Sequence, residues 1–160
     1  MTDVTIRPAT PDDAALILRF ITELAEYEKA AHEVKATVES IFESLFGEEP
    51  KAKAVICLCD GEPAGFALYF YNYSTWLGKH GLYLEDLYVT PAHRKSGAGA
   101  AMLKHLAKLA VDKDCGRFEW SVLDWNEPAI NFYEKLGAVA QKQWTTYRLT
   151  GDSLQRLAGD

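Results

Sequence analysis

Cysteine is scarce in this sequence, and long apolar runs and an excess of basic residues are missing from it. Three of the 160 residues are cysteines, Cys57, Cys59 and Cys115. Their odd number and the C-x-C spacing argue against a disulfide framework and against a zinc site, and we expect no bound metal. Cys57 and Cys59 fall on one face of a predicted strand, where we expect them to pack in the core of a protein from a reducing cytoplasm.

The lack of a long apolar stretch argues against a membrane protein. No run approaches the roughly 18 apolar residues that a membrane-spanning helix needs, and the first residues lack the basic and apolar regions of a secretory signal. The formal net charge of −6 argues against a nucleic-acid partner, because nucleic-acid-binding domains usually carry a basic excess. An acidic chain suits a cationic small substrate, although acidity serves solubility in many proteins.

The residues that are present have an ordinary globular composition. Hydrophobic residues make up 48% of the chain and charged residues 25%. A chain of 160 residues is long enough to bury a sizeable core. We therefore expect one domain over residues 1–160, located in the cytoplasm.

Apolar periodicity and turn residues predict the element order β-α-α-β-β-β-α-β-α-β. Thr10-Pro11-Asp12-Asp13 has the hydroxyl, proline and acids of a helix start, and Asp60-Gly61 is a strong hairpin signal. The order predicts a mixed α/β fold with helices on both faces of the sheet. The predicted strands are Val4–Ala9, Lys53–Cys59, Ala64–Tyr71, Leu82–Val89, Phe118–Leu123 and Gln143–Leu149. Helices are predicted after Thr10, from Thr37 to Gly47, over Ala100–Val111, after Asn126 and over Asp152–Ala158, and a polar, aromatic-rich loop over Asn72–Gly81.

The segment Arg94–Gly99 lies between a predicted strand and a predicted helix and carries two glycines and two basic residues. Glycine allows close backbone approach, and the first amides of a helix have no partner within it, so such a loop can cradle a phosphate group. A Walker loop is excluded because alanine, and not Lys-Ser/Thr, follows Gly99. Met102 stands where a dinucleotide fingerprint needs a small residue. The loop is therefore an anion cradle of another kind or a plain tight turn.

The strand before this loop changes its apolar phase at Glu85-Asp86. Leu82 and Leu84 share one face, and Leu87 and Val89 share a face, but three residues separate Leu84 from Leu87. A β-bulge inserts one residue and produces such a slip, and bulges gather beside active sites. A strand buried on both faces would show a similar run of apolar residues.

Arg94, Gly97 and Gly99 fit the Arg-x-x-Gly-x-Gly/Ala loop of the GNAT acetyltransferases, and the segment from Asn126 to Tyr133 resembles that family's second conserved region. Further segments resemble the spermidine/spermine N1-acetyltransferase branch, which also contains diamine and thialysine acetyltransferases. These segments are Ile6–Thr10, Glu23–Ala25, Tyr27-Glu28, Trp76–Lys79, Tyr83–Asp86 and Trp125–Pro128. The matches extend in order over nearly the whole chain.

The resemblance implies the GNAT acyl-CoA N-acyltransferase fold, in which a mostly antiparallel central sheet is splayed at a bulged fourth strand. It implies acetyl-CoA as co-substrate and no metal. In this family the pantetheine arm pairs with main-chain groups of the bulged strand, the glycine loop binds the pyrophosphate, and the late helix adds contacts. The corresponding residues here are Leu87, Tyr88, Val89, Arg94, Lys95, Ser96, Gly97, Ala98, Gly99, Ala100, Asn126 and Ala129.

The resemblance also assigns two catalytic residues. A primary amine has a pKa near ~10.4, so its deprotonation at pH 7 costs roughly 4–5 kcal/mol, and a nearby base offsets that cost. Glu85 matches the glutamate proposed as this base, acting through water; alternatively, it only attracts the cation. Tyr133 matches the tyrosine that protonates the departing CoA thiolate. Without the resemblance, Tyr133 would be interpreted as a core aromatic residue.

The expected acceptor is a small cationic primary amine, because carboxylates and aromatic faces suit such a group. The polyamine enzymes of the branch have an acidic residue two positions before the loop tryptophan, where this chain has Ser74. A thialysine-like amino acid or a short diamine therefore fits at least as well as a long polyamine. The residues that match substrate positions are Tyr27, Glu28, Trp76, Glu85, Asp86 and Trp120.

Relatives of this kind are homodimers, and the resemblance implies a homodimer here. Two other classes of function stay open: acetylation of a protein, peptide or aminoglycoside amine, and non-catalytic CoA binding on the same fold. The presence of Glu85 and Tyr133 argues against the non-catalytic class. The aromatic segment Asn72–Gly81 favours a covered pocket over the open groove that a peptide substrate needs.

Overall fold

The computed structural model describes residues 2–159, so residues 1 and 160 lie outside the described part. The chain divides into two compact units. The first unit is Met1–Ser121 and the second unit is Val122–Asp160. The expectation of one domain over residues 1–160 stays a prediction.

The first unit is built on a five-stranded sheet whose strands lie side by side in the order of the chain. Neighbouring strands run antiparallel, except that the last two run parallel. This arrangement confirms the predicted mixed, mostly antiparallel sheet. The strands are β1 (Val4–Pro8), β2 (Lys53–Cys59), β3 (Glu62–Ser74), β4 (Lys79–Val89) and β5 (Phe118–Trp120).

Helix α1 (Ala14–Tyr27) begins after one 3-10 turn, Pro11–Asp13, as its start signal predicts. The Thr10 amide donates to Asp13 Oδ2 at 2.7 Å, and the Arg7 guanidinium lies 2.7 Å from the same oxygen. Hydrogen bonding from Arg7 lowers the pKa of Asp13. The ion pair therefore fixes the entry to α1 against β1.

Helix α2 (Val38–Phe46) begins where the sequence predicts a helix start, and Thr37 caps it, since the Ser40 amide donates to the Thr37 hydroxyl at 3.0 Å. The helix ends at Gly47, again as predicted. Helix α3 (Ala98–Asp112) begins two residues earlier than its apolar periodicity indicates. Its first turn is formed by small residues of the glycine loop, which carry no periodic apolar signal.

Helices cover both faces of the sheet. On one face, Phe20 of α1 stacks on Phe66 with ring centroids 5.7 Å apart and lies 5.8 Å from the Tyr88 ring. On the other face, Met102 and Leu106 of α3 are fully buried. These two layers confirm the predicted packing, and burial of large apolar side chains supplies most of its driving force.

Two local predictions on β2 are confirmed. Asp60 and Gly61 have φ angles of 51° and 83°, as a two-residue hairpin with the twist of the flanking strands requires. Cys57 and Cys59 are buried in the core. Burial, followed by the neighbouring Cys59, raises the pKa of the Cys57 thiol to about 11, so Cys57 is a packing residue at neutral pH.

The prediction of a loop over Asn72–Gly81 is wrong. Strands β3 and β4 continue through most of this segment, with Tyr73 paired to His80 and Ser74 to Lys79. The turn itself lies within residues 75–78. Aromatic residues favour the pleated surface of a sheet even where polar residues alternate with them, and the pairing of β3 with β4 makes use of that preference here.

The second unit contains helix α4 (Glu127–Lys135) and helix α5 (Gly151–Gly159). Both match predicted helices, and Gly137 has the positive φ, 96°, expected after the end of α4. The predicted strand Gln143–Leu149 is wrong, because this segment has no regular secondary structure. β-propensity describes how well a residue fits against strand neighbours, and it does not create a strand by itself.

The fifth strand is shorter than the predicted Phe118–Leu123, since β5 ends at Trp120. The element order is therefore β-α-α-β-β-β-α-β-α-α, with three additional 3-10 turns at Pro11–Asp13, Ala31–Glu33 and Pro91–His93. The end of β5 at Trp120 determines the point beyond which β4 has no paired strand on that side.

Candidate functional site

The register of β3 and β4 contains a bulge at Glu85. Leu68 pairs with Asp86 and Tyr69 pairs with Leu84, so Glu85 has no partner across the ladder. This insertion confirms the phase slip predicted at Glu85-Asp86. The bulge leaves Glu85 exposed and Asp86 partly buried, and it changes the direction of β4 at one defined point.

The pairing also explains the apolar pattern of β4. Leu84 lies opposite Tyr69, whereas Leu87 lies opposite Ala67 and Val89 opposite Gly65. Since residues directly opposite share a face and alternate partners return to it, the leucines before and after the bulge lie on one face. The strand is therefore bulged, and the alternative of a uniform strand buried on both faces is excluded.

The ladder between β4 and β5 ends just before the bulge. It joins Leu82–Leu84 to Phe118–Trp120 and goes no further. Within residues 2–159, β4 has no strand partner on that side from Glu85 onward. The main-chain groups of Leu87–Val89 therefore border an opening in the sheet, where the predicted splay should lie.

The glycine loop presents main-chain amides at the start of α3. Gly97 caps the helix with φ 89°, and a Cβ at this position would meet open space. Ser96 Oγ accepts from the Ala98 amide at 3.3 Å, while the first intrahelical bond runs from Ala101 to Gly97. The amides of residues 99 and 100 thus lie at the positive end of the helix dipole. This cradle fits an anion such as pyrophosphate.

Arg94 connects the loop to the end of α1. Its Nε donates to the Val89 carbonyl at 3.1 Å. Its guanidinium carbon lies 5.5 Å from the Tyr27 ring centroid and 5.9 Å from that of Tyr88. A cation at these distances is attracted by the aromatic faces. Tyr27 belongs to the predicted acceptor site and Tyr88 to the predicted cofactor site, so residues of both sites orient Arg94.

Glu23 is a site residue to which the sequence analysis assigned no role. The Tyr88 hydroxyl donates to Glu23 Oε1 at 2.7 Å, and burial, together with this bond, raises the pKa of Tyr88 to about 12. Glu23 lies four residues before Tyr27 on α1, so both point from one helix face. This four-residue spacing is visible in the sequence and could have indicated that Glu23 lies beside Tyr27. The contact fixes the Tyr88 side chain on which Arg94 rests.

Three predicted carboxylates interact at the bulge. Burial and the charge of Glu85 raise the pKa of Glu28, which directly follows α1. Burial, followed by the charges of Glu85 and Glu28, raises the pKa of Asp86 to about 6. Like charges that influence each other in this way form a site that a cation would stabilise. We call Glu28, Glu85 and Asp86 the carboxylate cluster.

The two tryptophans expected near the acceptor lie at different distances from this cluster. Trp120 ends β5 and is paired with Leu84, the residue before the bulge. Trp76 lies in the β3–β4 turn and exposes 78% of its surface. Lys79, the first residue of β4 after this turn, lies roughly 17 Å along the strand from Leu84. The main chain of Trp76 lies further away again. The first unit thus brings Trp120, and not Trp76, close to the cluster.

The second unit holds the remaining predicted site residues. Asn126 caps α4, and its Oδ1 accepts from the Ala129 amide at 3.4 Å. Tyr133 lies four residues after Ala129 and therefore on the same helix face. The cap uses the main-chain group of Ala129 that could otherwise donate to a ligand. The predicted roles of these three residues stay predictions.

A family comparison connects these features. Residues 18–138, three quarters of the chain, match the model of the acetyltransferase (GNAT) family. The chain belongs to the GNAT acetyltransferase family. It is therefore an acetyltransferase, and the enzymes of this family use acetyl-CoA as co-substrate. The resemblance of the loop, the bulged strand and the late helix to this family is confirmed.

Curated relatives place the acetyltransferase in a narrower group. It is 41% identical to the thialysine N-epsilon-acetyltransferase of Sus scrofa, with 99% of each chain covered. It is 32% identical to the L-ornithine N5-acetyltransferase of Arabidopsis thaliana, covering 95% of this chain and 86% of that one. The predicted similarity to the branch that contains thialysine acetyltransferases is thus confirmed.

Solved structures agree on the fold. An integron cassette protein from the mobile metagenome of V. cholerae superposes with a TM-score of 0.81 at 26% identity, with 98% of each chain covered.

In the described part of the acetyltransferase, no helix is both long and apolar enough to cross a membrane. Among the same residues, no group of three or more His, Cys, Asp or Glu side chains could hold a metal ion.

Proposed function

We propose that this acetyltransferase moves the acetyl group of acetyl-CoA to the primary amine of a small cationic acceptor, either a thialysine-like amino acid or a short diamine. The observation that supports this proposal most directly is the carboxylate cluster at the β4 bulge. Its charges meet where the sheet opens and close to the strand segment assigned to the pantetheine arm. Few other ligands would balance three neighbouring carboxylates as well as an alkylammonium group.

The first chemical step in this proposal is loss of a proton from the acceptor. The ammonium group transfers a proton to Glu85 through a water molecule, and Glu28 and Asp86 hold the cation beforehand. Glu85 suits this role because the bulge exposes it to solvent, which lets a water lie between carboxylate and amine. The neutral amine then has the lone pair that it needs for attack.

The second step forms the amide and releases the thiol. The amine nitrogen attacks the thioester carbonyl carbon, the carbon–sulfur bond breaks, and the sulfur takes a proton from the Tyr133 hydroxyl. The nitrogen gives up its second proton to solvent as the amide forms, and Tyr133 regains a proton from solvent, so that N-acetyl amine, free thiol and one net proton, released from Glu85, are the products. Holding the two reactants together would supply much of the rate.

We propose the identity of the acceptor from the missing negative charge at Ser74 and from the substrates for which the relatives are named. Ser74 provides no negative charge at the position where polyamine enzymes of the branch carry an acid, which disfavours a long polycation. Relatives named for thialysine and ornithine act on amino acids that carry a side-chain amine. A short diamine or such an amino acid places one ammonium group in the carboxylate cluster without needing a second acidic site.

A screen that measures CoA release tests the proposal. Thialysine, ornithine, lysine, short diamines, spermidine, an aminoglycoside and a lysine peptide are compared at equal concentration. We expect the amino acids and short diamines to be turned over with the highest kcat/KM. Tight CoA binding without turnover of any small amine would contradict the proposal, and preferential turnover of the peptide or the aminoglycoside would replace it.

The role of Glu85 is tested separately. Glu85→Gln should lower kcat with little change in the acceptor KM if Glu85 is the base. If it only attracts the cation, the acceptor KM rises and kcat is unchanged. Glu26→Gln is the matched control, because Glu26 is an exposed acid near the end of the same helix as Tyr27. This control should leave both constants unchanged.

We also propose a cytoplasmic homodimer. Leu154 and Leu157 lie three residues apart on α5 and are exposed, and this apolar helix face supports an interface, since exposed apolar patches mark association surfaces. Light scattering of the purified protein at several concentrations measures the assembly directly. A mass of one chain, 17.9 kDa, at all concentrations would contradict the dimer.

A further inference from the structure

A cavity lies on the face of the sheet that α3 covers. It has a volume of about 450 Å³ and is lined by Lys53, Tyr69, Tyr71, His80, Leu109 and Lys113. Tyr69 is opposite Leu84, on the face of the β4 leucines, whereas Asp86 is opposite Leu68 on the other face. The sheet therefore separates this cavity from the Asp86 side of the carboxylate cluster.

Aromatic rings form the inner part of the cavity. Tyr69 is buried, and its ring meets Tyr71 edge to face with centroids 6.2 Å apart. Tyr71 in turn meets His80 edge to face at 5.4 Å. Burial raises the pKa of both phenols, so they stay protonated and can donate hydrogen bonds at neutral pH. The interior thus offers apolar ring surface and neutral donors.

The outer part of the cavity is positively charged. Lys53 and Lys113 are exposed there, and neither forms an ion pair among residues 2–159. The neighbouring acids are already paired, Asp114 with Lys79 at 3.0 Å and Asp112 with Lys108 at 3.6 Å. Two lysines without an ion-pair partner among residues 2–159 therefore line one cavity of a chain whose net charge is −6.

We propose that this cavity binds a small organic anion, a carboxylate or phosphate group attached to an aromatic or short apolar body. The ammonium groups of Lys53 and Lys113 would receive the anionic head in charge-assisted hydrogen bonds. The Tyr69 and Tyr71 rings would take the apolar body. The volume lies within the range of small-molecule sites, and this site is additional to the one for acetyl transfer.

Isothermal titration calorimetry with phenyl phosphate and with benzoate tests the proposal. The protein is first saturated with CoA, so that the glycine loop cannot bind the probe. We expect saturable binding of at least one probe, weakened by about tenfold or more in a Lys53→Ala/Lys113→Ala variant. The preferred probe identifies the head group as phosphate or carboxylate.

A matched variant controls for the loss of charge. Lys35→Ala/Lys104→Ala removes two exposed lysines outside the cavity, and it should bind the probe as the unchanged protein does. Equal weakening in both variants would show only general attraction and would overturn the proposal. No saturable binding of either probe would overturn it as well.

Proton NMR of the histidine ring gives an independent measurement. The His80 resonances should shift with the same apparent affinity as the calorimetric signal, because His80 lines the cavity. His105 of α3 does not line it and should not shift. Binding without any change at His80 would place the probe elsewhere and would contradict the site. Circular dichroism confirms that each lysine variant is folded.

Discussion

The first and second units differ in how much of their apolar surface they bury. The first unit holds the fully buried hydrophobic residues of the described chain, among them Phe20, Phe66 and Leu82 at 0% exposure. No described residue of the second unit is buried to that degree, and Tyr147 exposes 92% of its surface. A segment of fewer than roughly 40 residues does not build a sufficient core by itself.

This difference separates two tasks that the proposed reaction needs. The carboxylate cluster and the glycine loop are held by a sheet with helices on both faces, so their geometry is set by close packing. The proposed acid, Tyr133, lies on α4 in the unit without such a core. We therefore expect changes in the packed core of the first unit to act through stability, and a change at Tyr133 in the second unit to act through turnover.

The largest effect on stability is expected from the core of the first unit. Phe20→Ala removes a ring that contacts both Phe66 and Tyr88. It should lower the free energy of unfolding by about 3–5 kcal/mol, as measured by urea denaturation. Tyr147→Ala, in the second unit, should change it by less than about 0.5 kcal/mol. Equal losses would remove the contrast between the two units.

The next largest effect concerns turnover and not folding. Tyr133→Phe removes the proposed acid and should lower kcat at neutral pH by about a hundredfold or more. CoA affinity, measured by calorimetry, should stay the same because the ring is retained. Tyr147→Phe is the control and should keep full activity. An unchanged kcat for Tyr133→Phe would exclude the acid role and leave α4 a structural element.

A smaller effect is expected from the partly buried carboxylate of the first unit. The pKa of Asp86 is raised to about 6 in the folded protein, so folding holds its proton more tightly than the unfolded chain does, and stability falls as the pH rises from about 4 to above 6. Asp86→Asn should therefore stabilise the apo protein by about 3 kcal/mol at pH 8.

The pH dependence makes this prediction specific. Below about pH 4, Asp86 is protonated in both states, and the thermal midpoints of the Asp86→Asn variant and the unchanged protein should converge. Acceptor affinity should move the other way, since the variant loses one charge of the carboxylate cluster. A stabilisation that does not depend on pH would mean that packing, and not charge, limits this position.

The smallest effect is expected in the glycine loop. Gly97→Ala places a side chain at φ 89°, where L-residues are strained, and should cost about 1–2 kcal/mol. Gly99→Ala is the matched control, because Gly99 lies inside α3 and an added Cβ would meet Val89 at an ordinary 3.9 Å. Thermal unfolding should show destabilisation for Gly97→Ala alone. Equal midpoints would mean that the loop is not strained.

Local signals in the sequence predicted much of the first unit. The helix starts at Thr10 and Thr37, the Asp60-Gly61 turn and the slip at Glu85-Asp86 all depend on residues close together in the chain. Such features are decided within a few residues by backbone dihedrals, hydrogen bonds and alternation. The structure confirms each of them, together with the family that the ordered motifs indicated.

Signals that depend on a distant partner were less informative. The β-favouring residues of Gln143–Leu149 predicted a strand that does not form. Asn72–Gly81 was predicted as a loop, although most of it is paired strand. In both cases pairing with another segment decides the outcome. The early end of β5 at Trp120 also lacks a local signal, although it determines where β4 borders an opening.

The sequence by itself determined the helix starts, the turns, the bulge at Glu85 and the glycine turn after Arg94, because these follow from local backbone chemistry. Only the tertiary structure brought Glu28 from the end of α1 to Glu85 and Asp86 on β4. The raised pKa of Asp86 exists only after that step, because both desolvation and repulsion depend on which groups packing places together. The cationic cavity around Lys53 and Lys113 arises in the same way, from strands and a helix that are distant in the chain.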